Sequence, residues 1–257
     1  VYRNLNLLTD IGEAIKIPTP DGGDRFDGNV IPHNHFLCTS CGRLLDLELD
    51  MKSMEEVNRL AAFCRMVRGC VSGDILRGIE GSAAETYFSC LSHCQRTEDP
   101  ELVFEGRNRR PPKDCFNALL SFLYSLLCHD ARSALESSGI DAAAGFLHRD
   151  RPGRPGMALD LMEEFRAPLA DRLALTLINR KQISSDDFDR EESGAVFLKE
   201  DSRKKVLTAW QERKKTVLVH PFLQEKTTLG LLIHIQALLL ARHLRGDMDC
   251  YPPFIGK

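Results

Sequence analysis

A helical spacing of apolar residues dominates the sequence from about residue 75 onward, and it restricts the fold more than any other feature. The clearest case opens after Pro111, Pro112 and Asp114 and closes at Ser138 and Gly139, residues typical of a helix start and a helix end. Its apolar positions recur every three or four residues, as one buried helix face requires: Phe116, Leu119, Leu120, Leu123, Leu126 and Leu127. The same spacing predicts three more helices, over about 157–178, 202–217 and 228–244.

The first 50 residues have a different pattern, with short strand-like runs between turns. Strands are predicted over 13–17 and 44–49, with a turn at Asp21-Gly22-Gly23-Asp24. Ser53 and Glu56 form a capping box that opens a helix over 53–66. We therefore expect a mainly α protein, in which an all-α C-terminal lobe follows a small α/β segment of short antiparallel strands plus one helix. We also expect a loop over 142–156 and a mobile polar connection over 186–201.

Charge and hydropathy narrow the classes of function. Residues 1–60 carry 6 Lys and Arg against 10 Asp and Glu, and the remainder carries 28 against 27, so neither part is basic enough to indicate nucleic-acid binding by itself. The most apolar stretch, 229–241, is too short to span a bilayer and contains His234 and Gln236. The absence of a secretory signal and the odd count of nine cysteines favour a reduced, cytoplasmic compartment with no membrane role.

Three motifs of the helical part could bring acidic and imidazole side chains together. Glu80 lies in Arg77-Gly78-Ile79-Glu80-Gly81, His148 ends Gly145-Phe146-Leu147-His148, and Asp160 and Glu163 are three residues apart on one predicted helix face. The small residues Gly81, Ala83 and Ala84 predict a close approach of another helix beside Glu80. One imidazole with two or three carboxylates is a ligand set that suits Mg²⁺ or Mn²⁺, which can neutralise charge on a phosphate and activate an attacking hydroxyl.

Each of these residues also has an ordinary interpretation. A helical Glu is usually a solvated charge, a loop His is seldom a ligand, and Asp160 and Glu163 could pair with Arg166. Basic clusters beside them would suit a phosphodiester substrate, although an arginine run is more often a solvated face. The candidate DNA-binding residues are Arg77, Arg109, Arg110, Arg149, Arg151 and Arg154.

From about residue 70 the chain resembles the C-terminal helical lobe of the CRISPR adaptation integrase, the metal-dependent DNA endonuclease of spacer acquisition. The similarity rests on several phrases in the family order. They are Leu76-Arg77-Gly78-Ile79-Glu80-Gly81, Asn108-Arg109-Arg110-Pro111-Pro112, Gly145-Phe146-Leu147-His148, Leu159-Asp160-Leu161-Met162-Glu163, Thr208-Ala209-Trp210-Gln211-Glu212-Arg213-Lys214, His220-Pro221-Phe222, His243-Leu244-Arg245-Gly246-Asp247 and Tyr251-Pro252-Pro253-Phe254.

This resemblance implies roles for individual residues. Glu80, His148 and Glu163 match the family's catalytic metal ligands, and Asp160 matches an auxiliary acid of the same site. Family members join protospacer ends to the repeat array by attack of a 3′-hydroxyl on a phosphodiester, and they also cleave branched DNA. The resemblance further implies double-stranded or branched DNA as substrate, a homodimer, and the small second subunit of the adaptation complex as partner. The β-rich domain with which this family normally begins has no counterpart in these residues.

Residues 1 to about 62 instead resemble the metal-binding region of the ferric uptake regulator (Fur) family. Cys38 and Cys41 match half of a tetrathiolate zinc site, whose second Cys-x-x-Cys pair this sequence lacks. The residues that match regulatory-metal ligands are Asp27, His33, His35 and Asp46. We therefore expect a partial Fur-like segment over 1–66, able to hold Zn²⁺, and a helical integrase lobe over 67–257.

Three hypotheses of function follow. The first is a metal-dependent DNA endonuclease and integrase that uses Mg²⁺ or Mn²⁺. The second, from another class, is a regulatory module that senses zinc or iron through the first segment. The third is an integrase lobe that binds DNA and metal without turnover, because the family's β domain is not part of this sequence.

Overall fold

The computed structural model describes residues 9, 15–18, 24–27, 34–37, 44–47, 51–149 and 151–255. The chain divides into two compact units, one reaching Val57 and the other beginning at Asn58. Within the described residues, no helix is both long and apolar enough to cross a membrane.

The first unit contains two antiparallel hairpins. In one hairpin β1 (Ile15–Pro18) pairs with β2 (Asp24–Asp27), on either side of the predicted turn. In the other, β3 (Asn34–Leu37) pairs with β4 (Leu44–Leu47), so that His35 and Asp46 are register partners. Helix α1 (Met51–Arg68) follows, two residues longer at each end than predicted.

The proposed Fur-type ligands lie in the part of the chain whose side chains are not described. Cys38, Cys41 and His33 lie outside the described residues, and for Asp27, His35 and Asp46 only the strand backbone is described.

The second unit is built mainly from helices. They are α2 (Gly73–His93), α3 (Cys115–Ser137), α4 (Gly156–Phe165), α5 (Arg172–Asn179), α6 (Glu200–Lys214) and α7 (Leu229–Leu244). Short 3-10 turns occupy Pro100–Leu102 and Ser185–Asp187. The mainly α class is confirmed.

Helix α3 is the centre of this unit and packs against α4, α5 and α7. Its start agrees with the prediction because the Asp114 carboxylate accepts a hydrogen bond from the Asn117 amide at 2.7 Å, which satisfies a free N–H of the first turn. Five of the six predicted apolar positions are completely buried, and Leu126 is partly buried. The start of α7 is fixed in the same way, by Thr228 accepting from Leu231 at 3.3 Å.

The single helix predicted over 157–178 is interrupted by a π-helical turn, Arg166–Asp171, between α4 and α5. Pro168 lies in this turn and has no N–H to donate, so a regular α-helix cannot continue through it without loss of a hydrogen bond. Such insertions widen a helix and often occur at functional sites. The turn buries Asp171, whose carboxylate accepts from the hydroxyls of Tyr87 and Tyr124, each at 2.6 Å.

The expectation that the lobe is helical throughout needs a correction, because the unit also contains two short hairpins. Strand β5 (Phe188–Arg190) pairs with β6 (Val196–Leu198), and β7 (Val217–Val219) pairs with β8 (Lys226–Thr228). The expected mobile connection over 186–201 was therefore wrong. Phe188, Val196 and Leu198 are buried in the core and fix this stretch, although polar residues separate them in the sequence.

Candidate metal centre

His148 lies in a loop that two glycines hold against the start of α4. A Cβ atom on Gly145 would lie 2.7 Å from the His148 carbonyl oxygen and 2.9 Å from the Gly156 carbonyl carbon. A Cβ atom on Gly156 would lie 2.8 Å from the Ala143 oxygen and 3.0 Å from the Gly145 nitrogen. Real Cβ atoms do not come so close to backbone atoms, so glycine is required at both positions.

Asp160 of α4 closes the same loop through its carboxylate. Oδ2 accepts from the backbone amides of Phe146 (2.6 Å) and Leu147 (3.0 Å), and Oδ1 accepts from the His148 amide (3.2 Å). Oδ1 also lies 2.6 Å from the His148 ring nitrogen Nδ1. Both Asp160 oxygens thus contact the loop and orient His148, and the predicted role of Asp160 as an auxiliary ligand stays a prediction.

The His148 ring is thereby oriented for ligation. With Nδ1 donating to a carboxylate, the neutral ring carries its free lone pair on Nε2, as in metal-bound histidines whose other nitrogen is held by an acid. Within the described part of the chain, Nε2 has no hydrogen-bonding partner. Only 18% of the His148 side chain and 14% of the Asp160 side chain are exposed, which limits competition from water.

Helix α2 brings Glu80 to this loop. Arg77 Nη1 donates to the Leu147 carbonyl oxygen at 3.3 Å, and Asp74 pairs with both Arg77 and Arg149. The two arginines lower the pKa of the Asp74 carboxyl, so this aspartate holds its charge between them. The Arg77 guanidinium thus joins α2 to the His148 loop, and its predicted role in DNA binding stays a prediction.

Glu80 is half-buried one turn beyond Arg77. Burial raises the pKa of the Glu80 carboxyl, and the negative charge of Glu163 raises it further, with a smaller contribution from Asp160. His148 and Arg166 lower the same pKa. The structure therefore brings all four predicted ligand-set residues, together with Arg166, into one electrostatic neighbourhood.

The space beside Glu80 differs from the prediction. A Cβ atom on Gly78 or Gly81 would meet nothing within 4 Å, so the expected close approach does not occur at Gly81, although Ala84 packs against the core. The two glycines leave an open surface next to the carboxylate.

The Glu163 carboxylate pairs with a positively charged side chain, that of Arg166. Arg166 Nη1 donates to both carboxylate oxygens of Glu163, at 2.8 and 2.7 Å. The same guanidinium lies 4.5 Å from the ring centre of Tyr124 and 5.7 Å from that of Phe88. The sequence suggests Arg166 only as an ordinary pairing partner of Asp160 and Glu163. The structure shows that it occupies the ligand oxygens of Glu163, which the spacing of three residues already allowed.

The donor chemistry of this neighbourhood fits a hard divalent cation. Carboxylate oxygens and one neutral imidazole nitrogen are typical ligands of Mg²⁺ and Mn²⁺. A cation would also relieve the repulsion between Glu80 and Glu163. Among the described residues, however, no three His, Cys, Asp or Glu side chains have the arrangement of a metal site, because Glu163 turns to Arg166 and Asp160 turns to the loop. The ligand set therefore stays a prediction.

A buried polar network surrounds Glu164, the residue that follows Glu163 on α4. Glu164 accepts from Tyr251 Oη (2.5 Å), Gln236 Nε2 (2.9 Å) and the Phe254 amide (2.7 Å). Gln236 Oε1 in turn lies 3.0 Å from Nε2 of the buried His220. The network joins α4, α7 and residues 251–254. The sequence contained a signal for it, since Glu164 lies seven residues after Met157 on the apolar face.

The remaining predicted DNA-binding arginines lie at the surface. Arg109, Arg110, Arg149 and Arg151 are exposed and Arg154 is half-buried. Their role in DNA binding stays a prediction.

Two family models match the chain. One described as CRISPR associated protein Cas1 matches residues 43–212, and one described as ferric uptake regulator family matches residues 1–63. A curated relative, CRISPR-associated endonuclease Cas1 1 of Chlorobaculum tepidum, is 54% identical over 209 residues. The matched region covers 81% of this chain and 61% of that relative, so the chain spans about three fifths of the relative's length.

Solved structures show the same architecture. A casposase bound to integration product is similar with a TM-score of 0.67 and 25% identity, over 77% of this chain and 58% of the casposase chain. A partial Cas6-RT-Cas1–Cas2 complex is similar with a TM-score of 0.65 and 27% identity, over 77% of this chain and 57% of that one.

Proposed function

Because this chain belongs to the Cas1 family of CRISPR-associated proteins, we propose that its helical lobe cuts and joins DNA strands with a divalent metal ion held by Glu80, His148 and Glu163. The reaction is attack of a DNA 3′-hydroxyl on a phosphodiester, or of water when a branched DNA is cleaved. Either reaction breaks one P–O bond as the new one forms, and the released 3′-oxygen takes up a proton.

The contact that carries this proposal is the one between His148 and Asp160. It fixes the imidazole with Nδ1 toward an acid at 2.6 Å and leaves Nε2 for a ligand, beside two carboxylates of α2 and α4. An ordinary surface histidine has no reason to be held by a carboxylate that also accepts from three consecutive backbone amides. This arrangement supports a role in which the exact position of the ring matters.

The side chains have separate tasks in this proposal. Glu80, Glu163 and His148 Nε2 hold the ion, and Asp160 and the Gly145–Gly156 contact fix the ring. Once bound, Mg²⁺ or Mn²⁺ supplies Lewis acidity that stabilises negative charge on the phosphate. Arg166, which pairs with Glu163 in this structure, would donate to a phosphate oxygen of the strand if Glu163 held the ion. Tyr124 and Phe88 keep its guanidinium beside the reacting group.

The substrate and the partners belong to the same proposal. The similarity to a casposase bound to integration product and to a Cas1–Cas2-containing complex supports double-stranded or branched DNA as substrate and a small Cas2-type subunit as partner. We further propose a homodimer, and the surface arginines 109, 110, 149, 151 and 154 as DNA contacts.

A nicking and strand-transfer assay on branched and repeat-containing DNA tests this function. Wild-type protein is expected to require Mn²⁺ or Mg²⁺, and Glu80→Ala and His148→Ala are expected to abolish turnover. Glu85→Ala, which removes an exposed carboxylate from the same helix, is the matched control and should keep it. Unchanged activity of His148→Ala would contradict the proposal. Binding of DNA and metal without turnover in the wild-type protein would favour the inert-lobe hypothesis instead.

A second candidate function concerns the first segment, because the ferric uptake regulator model matches residues 1–63. We propose that this segment holds Zn²⁺ through Cys38 and Cys41, and that Asp27, His33, His35 and Asp46 are remnants of a regulatory-metal site. Zinc that co-purifies with the chain and is lost in Cys38→Ser is the expected result. Equal zinc content in both proteins would exclude this function.

A further inference from the structure

A shallow depression between α5 and α6 is lined by three arginines. It has a volume of about 370 Å³, and its walls are Arg172, Leu175, Thr176, Asn179, Arg180 and Arg213. None of these residues belongs to the proposed metal centre or to the basic clusters recognised in the sequence.

The positive charge of this depression is not neutralised by the protein. Among the described residues, Arg172, Arg180 and Arg213 form no salt bridge, whereas Arg166 and Arg190 each pair with a glutamate. The nearest acid in sequence, Asp171, is buried and accepts from two tyrosines.

Arg213 is held in place by one hydrogen bond and has one unsatisfied donor. Its Nη2 donates to the Pro168 carbonyl oxygen at 2.8 Å, which fixes the guanidinium plane. Its Nε is buried and finds no hydrogen-bond acceptor in the described part of the chain. A buried donor without an acceptor costs stability, so the protein by itself leaves this guanidinium incompletely hydrogen-bonded. Burial, followed by repulsion from Arg172, also lowers the pKa of the Arg213 guanidinium.

We propose that this depression binds a phosphate group, supplied by the backbone of the DNA on which the lobe acts. Guanidinium groups bind phosphate oxygens through two parallel N–H donors. Three such groups around one depression attract an oxyanion, which a surface of carboxylates would repel. Arg172 follows Glu163 by nine residues, across the π-helical turn that joins α4 to α5. We expect one bound duplex to contact both sites. The DNA source of the phosphate rests on the proposed function, whereas the phosphate site itself does not.

DNA binding by the full chain tests the proposal without chemistry. Anisotropy of a labelled branched DNA is measured in EDTA over a series of KCl concentrations for wild type, Arg172→Ala, Arg180→Ala and the double variant. Arg213 is left intact because its bond to Pro168 supports the fold. Each single variant is expected to weaken binding about tenfold and to reduce the slope of log K against log salt by about 0.9. Arg190→Ala, an exposed arginine elsewhere, controls for the loss of one charge and should change neither quantity as much.

Calorimetric titration with inorganic phosphate separates the two sources. Phosphate binding that disappears in the double variant, together with the DNA effects above, supports the proposal. Phosphate binding that depends on Arg172 with unchanged DNA affinity keeps the phosphate site and overturns the DNA source. If the Arg172 and Arg180 variants bind both phosphate and DNA as well as the Arg190→Ala control does, the whole inference is overturned. If the wild-type chain binds no DNA, the proposed function fails, and the phosphate titration alone still decides the site.

Discussion

The Nδ1 atom of His148 lies 2.6 Å from Oδ1 of Asp160, and the same carboxylate accepts hydrogen bonds from three successive amides of the loop that carries the histidine. One side chain of α4 thus sets both the path of the loop and the direction of the ring. This relationship links the fold of the lobe to its proposed chemistry.

Replacement of Asp160 should therefore weaken metal binding through His148. We expect Asp160→Ala to lower Mn²⁺ affinity by about 10- to 100-fold, the range found for partners that orient metal ligands. Asp160→Asn, which keeps one acceptor oxygen, should lose less. Calorimetric Mn²⁺ titration measures this, with Asp247→Ala as a control for the loss of an exposed aspartate. Wild-type affinity in Asp160→Ala would contradict the positioning role.

The effect of a glycine-to-alanine substitution on stability can be compared between Gly156, which is in close contact with the Gly145 backbone, and Gly81, which has nothing within 4 Å. Gly156→Ala should destabilise the protein by about 1–3 kcal/mol, because the new methyl group meets backbone atoms that cannot move independently. Gly81→Ala should be neutral or stabilising by about 0.5–1 kcal/mol, since nothing lies within 4 Å and alanine favours a helix. Urea unfolding measures both. Equal effects of the two substitutions would mean that the Gly145–Gly156 contact is not as tight as described.

The Glu164 network should hold residues 251–254 against α4. Gln236→Leu removes one hydrogen-bond partner from Glu164 and one from the buried His220, so we expect a loss of about 1–3 kcal/mol in the free energy of unfolding. The Phe254 amide, which donates to Glu164 at 2.7 Å, should also exchange its hydrogen faster. Gln211→Leu on the exposed face of α6 is the control. Unchanged exchange at Phe254 would show that the network does not hold this segment.

Asp187 predicts how stability depends on pH. Its side chain is only 11% exposed and accepts from Lys205 Nζ (2.8 Å), Ser202 Oγ (2.6 Å) and the Ser184 amide (2.9 Å). Burial by itself raises the pKa of Asp187, but the bonds from Lys205, Ser202 and Ser184 outweigh it and lower the pKa to about 2, from an ordinary value of 3.8. The ionised form is favoured by folding, so this stabilisation is present above about pH 4 and is lost as the pH falls to about 2.

Asp187→Asn should therefore cost about 1–3 kcal/mol at neutral pH, and this difference from wild type should shrink between pH 4 and pH 2. Urea unfolding across that range is the measurement, with the exposed Asp189→Asn as control. A difference that stays constant with pH would exclude a stabilising charge on Asp187.

The sequence predicted the elements whose signals are local. The start of α3 followed from its capping residue Asp114, and the limits of α3 and α7 followed from a regular apolar spacing. The hairpin β5–β6 was missed because its buried residues, Phe188, Val196 and Leu198, are few and are separated by charges. A two-stranded sheet with three residues in each strand is stabilised by the core on which it packs. A local sequence pattern contains no information about that packing.

The candidate residues were singled out by their motifs and given roles by the family resemblance. The matches to Cas1 proteins confirm that resemblance, whereas the surroundings of these residues depend on tertiary contacts. The role of Asp160 as an acceptor for the loop and the contact of Gly145 with Gly156 each join residues that the sequence treats as independent. The pairing of Glu163 with Arg166 was already allowed by their spacing of three residues. The arginine depression combines α5 with α6 and has no sequence motif at all.

The central claim is that Glu80, His148 and Glu163 hold one divalent ion, and anomalous diffraction from crystals soaked in Mn²⁺ tests it most directly. We predict a single strong manganese peak bounded by a carboxylate oxygen of Glu80, Nε2 of His148 and a carboxylate oxygen of Glu163, with Arg166 turned away from Glu163 and Asp160 still bonded to Nδ1. A peak that His148 does not contact, or no peak in this region at saturating Mn²⁺, would contradict the claim.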